Sequence, residues 1–194
     1  MLLLKTLSLA ATAALATFSG IHKLKVSSTA FANNSAIPMK YSCEGEEISP
    51  PLSISDVPPG TKSLAVVVHD PDAPKAGGFT HWVVWNISVT DRLPENYKDA
   101  EQGLNGAGEP GYKGMCPPTG THHYHFMVYA LDTRLSINAK TDKAALEKSM
   151  QGHILAEGEL IGLYKNQSNQ NHNFQKFLWI EKRDFFENFG LRNF

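Results

Sequence analysis

Two short apolar runs held apart by a loop rich in proline and glycine constrain this chain most. Leu64-Ala65-Val66-Val67-Val68 is the first run, and His81-Trp82-Val83-Val84-Trp85-Asn86-Ile87 is the second. Between them stand Asp70-Pro71-Asp72-Ala73-Pro74 and the pair Gly77-Gly78. The runs are short, β-branched and aromatic, and bounded by turn formers, so both read as buried strands rather than helices. The loop prolines fix φ and remove backbone donors, which makes the connection stiff. Asp70 ends one strand and His81 starts the next. That spacing predicts an acid and an imidazole brought to one end of a sheet. Each residue also has a plainer reading: Asp70 and Asp72 as turn formers, His81 as a satisfied edge histidine.

A second informative stretch runs from Gly111 to Leu131. Gly114, Pro117, Pro118 and Gly120 make its first half a loop. Its second half reads as a strand, and strand alternation sorts the side chains. His122, Tyr124, Phe126 and Val128 share one face; His123, His125, Met127 and Tyr129 share the other. His122 and Tyr124 then form a polar rim above an apolar floor, a common pocket design.

The remaining segments fit around these strands. Ile37, Met39 and Tyr41 alternate with polar or small neighbours and predict a half-buried strand. Leu52, Ile54 and Val57 predict a short edge strand. Residues 88–110 read as an irregular surface connection. Thr141 to Gln151 is the best helix, with Thr141 as its cap and Gly152 as its stop. His153 to Tyr164 returns to strand character. Short strands, Gly/Pro-rich turns and few helices predict an all-β fold, an antiparallel β-sandwich with one or two peripheral helices.

The ends differ from this body. Residues 1–20 begin Met-Leu-Leu-Leu-Lys and continue into an uncharged run of small and apolar residues. They resemble a secretory signal peptide, with processing near Ala16 to Gly20 and an uncleaved membrane anchor as the alternative. The expected location is periplasmic or secreted. Residues 21–165 form the expected domain. Residues 166–194 form an extension: an Asn/Gln-rich linker, then Phe177-Leu178-Trp179-Ile180 and Phe185-Phe186. Cys43 and Cys116 are the two cysteines. In an exported chain an isolated pair is a disulfide candidate; in a cytosolic one it is two free thiols.

Several function classes are disfavoured. The formal net charge is −1, and with no basic stripe or zinc-finger spacing nothing draws the chain to nucleic acid. There is no G-x-S-x-G elbow, P-loop or H-E-x-x-H, so neither a nucleophile nor a metal or cofactor motif is present. A metal site from His122, His123 and His125 is poor, since His122 faces away from the other two. Asp70, His81 and His122 as general acid and base on a phosphoester remain an alternative.

The residues of both stretches resemble the phosphatidylethanolamine-binding protein family, in its bacterial and archaeal Raf-kinase-inhibitor-like branch. The first motif, D-P-D-A-P followed by H-W-V-V-x-N-I, stands at Asp70–Pro74 and His81–Ile87. The second, G-x-x-P-P-x-G-x-H-x-Y-x-F-x-V-Y-A-L, stands at Gly114–Leu131. The opening, with Cys43-Glu44-Gly45 and Ser49-Pro50-Pro51-Leu52, and the ending Gly152–Tyr164 also match, so the resemblance spans Leu24 to Lys165.

The resemblance implies a small pre-formed anion pocket for a phosphate-bearing anion or a phospholipid headgroup. It also implies a kinase or protease partner that the protein modulates; the third reading is an interaction inhibitor with no small ligand. In the pocket, His81 and His122 are expected to donate to phosphate oxygens, with Tyr124 adding a hydroxyl. The amides of Gly114 to Cys116 are expected to donate as well. Asp70 is expected to orient an imidazole, while Pro74, Trp82, Pro117 and Pro118 wall the site. Core packing is the alternative for Trp82. Many members carry a small residue where Cys116 stands. Exported members have cysteines there and near Cys43, which supports the bridge. The extension after Lys165 has no counterpart in the family pattern.

Overall fold

The computed structural model describes residues 22–167. The expected signal segment and the aromatic part of the C-terminal extension lie outside the described residues. Ten strands and one helix follow in chain order: β1 (His22–Lys23), β2 (Lys25–Ser27), β3 (Ser35–Ala36), β4 (Leu52–Ser55), β5 (Ser63–Asp70), β6 (Phe79–Ile87), β7 (Arg92–Leu93), β8 (Glu101–Gln102), β9 (Thr121–Leu131), α1 (Lys143–Met150) and β10 (Ile154–Lys165). A seven-stranded sheet has the order β1-β10-β9-β5-β6-β8, with β3 also on β10; β2-β4-β7 form a smaller sheet. The long pairs are antiparallel. The short β1 and β3 lie parallel to β10.

The density of the first apolar run follows from burial on both faces of β5. Leu64, Val66 and Val68 join Trp82, Val84, Phe126 and Val128 in the core between the sheets, where Leu52, Ile54 and Leu93 meet them from the small sheet. Ala65 and Val67 point the other way, with Val83, Trp85 and Leu131, and pack under Leu146 and Met150 of α1. The β-sandwich therefore carries its helix as a third layer. Each fully buried aliphatic side chain contributes roughly 1.5–3 kcal/mol relative to exposure. A polar substitution on either face of β5 thus costs core energy. Among the described residues no helix is long and apolar enough to cross a membrane.

Three local expectations are corrected. The alternation at Ile37, Met39 and Tyr41 is not a strand. Pro38 has no N–H for a ladder, and a 3₁₀ turn follows at Met39–Tyr41, leaving Met39 42% exposed while Ile37 and Tyr41 are buried. The segment expected at an edge, β4, lies between β2 and β7, which explains why Leu52 and Ile54 are buried. The cap of α1 is Asp142, not Thr141. The Asp142 carboxylate accepts from the Ala145 amide at 2.9 Å, while the Thr141 hydroxyl is turned back onto the Asn138 carbonyl.

Two register shifts shape the β5–β6 pair. Near one end, Leu64 pairs with Ile87 but Val66 pairs with Val84. Asn86 takes the extra position with φ 56°, and its side-chain amide both donates to and accepts from the backbone of Leu135 at 2.8 Å. Near the other end, Val68 pairs with Trp82 but His69 pairs with Thr80. His81 is left without an opposite residue on β5, and that bulge lies at the candidate site.

Candidate functional site

Three adjacent strands bring the polar residues together. Asp70 is the last residue of β5, His81 stands near the start of β6, and His122 is second in β9. Antiparallel pairing of β5 with both neighbours puts these ends at one edge of the sheet. Strand alternation holds on β9, where His122 and Tyr124 are buried while His123 is exposed and His125 partly so. Alternation fails at His81. Continued regularly, it would send His81 to the helix side with Val83 and Trp85. The bulge re-aims the side chain, as bulges beside functional sites do, and His81 lines the same cavity as Asp70 and His122.

Asp70 holds His122, not His81. Its Oδ2 lies 2.8 Å from His122 Nδ1, with the two residues 3% and 7% exposed. The other carboxylate oxygen accepts from the Asp72 amide at 2.9 Å, so the turn itself orients the acid. The loop returns over Asp70 at Gly78, where φ is +77° and an added Cβ would lie 2.4 Å from the Asp70 carbonyl oxygen. Only glycine permits that approach.

His81 is held by the backbone. Its Nδ1 lies 2.8 Å from the carbonyl oxygen of Lys113, and the Lys113 amide donates to the His81 carbonyl at 2.7 Å. A carbonyl oxygen only accepts, so Nδ1 carries the proton. Nε2 is buried and has no hydrogen-bond partner among the described residues. Burial lowers the His81 pKa, against the opposing pull of the Lys113 carbonyl and Asp70. With the proton on Nδ1, Nε2 of the neutral ring is an acceptor. Tyr124 packs edge-on to His81, with centroids 5.2 Å apart. Burial first, then Asp70, pushes its phenol far above the usual range.

The cavity has a volume of about 290 Å³. Of the expected residues, Asp70, Pro74, His81, Gly114, Cys116, Pro117, Pro118 and His122 line it. Tyr124 lies beneath, fully buried. Trp82 belongs to the core, 1% exposed, with its indole N–H donating to Gln102 at 2.7 Å. The core alternative for Trp82 is the one observed. Ala73, Lys75, Phe79 and Lys113 complete the lining. Nothing in their spacing marks them out, although Phe79, the first residue of β6, stands two residues before His81 and its apolar run.

The 111–118 loop is fastened at several points. Cys43 and Cys116 form a disulfide with Cα atoms 5.5 Å apart. The Cys43 amide donates to the Met115 carbonyl at 3.1 Å, and Lys113 Nζ lies 3.3 Å from Glu47. The Gly114 amide, expected to face an anion, donates to Glu47 at 3.2 Å instead. An added Cβ on Gly114 would lie 2.7 Å from the Ser42 carbonyl carbon, so close packing of two loops explains this glycine. Among the described residues no three His, Cys, Asp or Glu side chains are grouped to hold a metal. His123 and His125 are paired with Asp72 and Glu159 instead.

Comparison with known proteins agrees on one family. The family model described as phosphatidylethanolamine-binding protein matches residues 27–165. A UPF0098 protein of Pyrococcus horikoshii is 50% identical over 153 residues, covering 73% of this chain and 76% of the relative. The crystal structure of a phosphatidylethanolamine-binding protein homologue from Chlamydia trachomatis is 46% identical with a TM-score of 0.71, covering 75% of this chain and 99% of that one. E. coli YbcL, described as a new member of the mammalian family, is 33% identical with a TM-score of 0.70, covering 74% and 99%.

Proposed function

The chain belongs to the phosphatidylethanolamine-binding protein family, and from that premise we propose that it is a non-catalytic binding protein for a small phosphate-bearing anion. The observation that carries this reading is the buried Asp70–His122 pair on the wall of the cavity. With Nδ1 turned to Asp70, His122 has Nε2 left for a ligand. As the imidazolium it donates a charge-assisted hydrogen bond to an anionic oxygen, with the Asp70 carboxylate balancing its charge. Lys75 adds positive charge to the lining, while Lys113 is paired with Glu47. A cavity of about 290 Å³ suits a phosphate with a short substituent. The polar groups are held before any ligand arrives, by the Asp72 turn and the Lys113 carbonyl. Such pre-organisation lowers the cost of binding.

Export to the periplasm or beyond is part of the proposal, and the Cys43–Cys116 bridge supports it, because such bonds persist in oxidising compartments. Titration calorimetry of the full chain with O-phosphorylethanolamine tests the binding reading. Saturable heat without release of inorganic phosphate is expected. Turnover of the ester would replace the binder by a phosphoester-processing enzyme.

A further inference from the structure

His81 divides its two nitrogens between different surroundings. Nδ1 donates to the Lys113 carbonyl at 2.8 Å. Nε2 is buried and lacks a partner among the described residues, and the residue is 3% exposed in the lining of the cavity. A buried acceptor left unpaired is unfavourable, and a ligand that brings a proton to it removes that penalty. His122 is arranged differently. Its Nδ1 faces a carboxylate, Asp70 Oδ2, rather than a neutral carbonyl. The two imidazoles are therefore not equivalent donors. One faces a carboxylate, and the other is fixed by the backbone so that the free nitrogen of its neutral ring accepts.

The charged and titratable groups near His81 agree with this division. Burial disfavours a charged ring most and His69 adds to it, and together they outweigh the Lys113 and Gly114 backbone and Asp70, which favour one. Phe79 covers the ring from β6, with centroids 4.8 Å apart.

We infer that the pocket selects a phosphate bearing an acidic proton, as free phosphate or as a monoester, over anions that carry none. His81 Nε2 accepts from the P–O–H group, and His122 Nε2 donates to an ionised oxygen of the same phosphate. Sulfate has no such proton near neutral pH and sets an oxygen lone pair against the Nε2 lone pair. A phosphodiester has no P–O–H group either. The headgroup phosphate of a glycerophospholipid such as phosphatidylethanolamine is a diester, so the ligand class named here is a soluble phosphate or monoester. Sites built around a ligand's donor reject analogues that lack it by large factors.

This inference rests on the anion-binding reading above, and one experiment separates them. Calorimetry at pH 6, where a phosphomonoester is about half monoprotonated, compares inorganic phosphate, O-phosphorylethanolamine, sulfate and glycerophosphoethanolamine on the full chain. Phosphate and the monoester are expected to bind, with sulfate and the diester at least about tenfold weaker. Sulfate or the diester binding within about twofold of phosphate overturns the selectivity and leaves the anion pocket standing. No binding by any of the four overturns both. In His81→Gln, whose side-chain amide can donate, the sulfate-to-phosphate ratio should approach unity, whatever the absolute affinity. Undiminished discrimination in that variant, with the fold verified by circular dichroism, overturns the role given to His81.

Discussion

The Asp70 carboxylate and the His122 imidazole meet at 2.8 Å across two neighbouring strands, 52 residues apart in the chain and almost wholly buried. One oxygen of Asp70 holds His122 while the other holds the Asp72 amide. Asp70→Asn should keep the turn but lose the charge that balances an imidazolium. Affinity for a phosphomonoester is then expected to fall by about tenfold or more, as when a charge-assisted bond is replaced by a neutral one. Calorimetry on the variant checks this; unchanged affinity would show that His122 does not act as a cation.

The disulfide closes a span of 73 residues. In the chain-entropy account such a bridge contributes about 4 kcal/mol. Cys43→Ser with Cys116→Ser should lower stability by up to that amount, read as a lower urea midpoint with a slope as steep or steeper, since the unfolded chain loses its cross-link. The fold should persist, because the Ser42–Met115 bridge and the Lys113–Glu47 pair still hold the loop. Thiol counting on the unfolded, non-reduced protein should find none, and two per chain would refute the bridge.

Acid should weaken the fold through buried histidine. Burial depresses the pKa of both His81 and His69 in the folded state. The unfolded chain then binds more protons below about pH 6.5, so stability is full above that value and is lost as pH falls through it towards the folded pKa. Asp72 and Glu95, lowered by their bonds to His123 and Lys40, act further down, below about pH 4.5. Urea midpoints at pH 5 and pH 7.5 should differ in the parent and differ less in His81→Gln. An equal difference in both would remove His81 from this account.

Asn86 offers a test of the bulge at the far end of the β5–β6 pair. Its side chain makes two hydrogen bonds of 2.8 Å with the Leu135 backbone, and its own carbonyl accepts from Arg134 at 2.8 Å. Asn86→Ala leaves the buried Leu135 groups unpaired and puts alanine at φ 56°. A loss of about 2–4 kcal/mol is expected from those two causes. A thermal melt within a degree of the parent would contradict it.

Sequence pattern made some of this site legible and not the rest. His122 and Tyr124 were readable because alternation on β9 is regular and depends only on neighbours along the chain. Asp70 was readable because the proline turn that follows it fixes where β5 ends. The aim of His81 was not, since a bulge is a relation between two strands: Val68 opposite Trp82, then His69 opposite Thr80. No periodicity within the His81–Ile87 run shows which strand pairs with it, or in what register. The same ambiguity put Trp82 on the pocket wall by its place in a motif, when its face belongs to the core. Gly114 suggested an anion cradle, but the close approach of the Ser42–Cys43 backbone gives it a packing role. The helix cap moved by one residue because Thr141 and Asp142 are both good caps, and only the burial of Thr141 decides between them.

The proposed anion sits in the cavity between His81 and His122. Titration of the parent protein and of His122→Ala with O-phosphorylethanolamine, from pH 5.5 to pH 8, tests this placement most directly. Removing a donor to a charged group costs roughly 1.5–3 kcal/mol, so the variant is predicted to bind at least about tenfold more weakly at the lower end of that range. A His122→Ala protein that binds as tightly as the parent at every pH would place the ligand elsewhere.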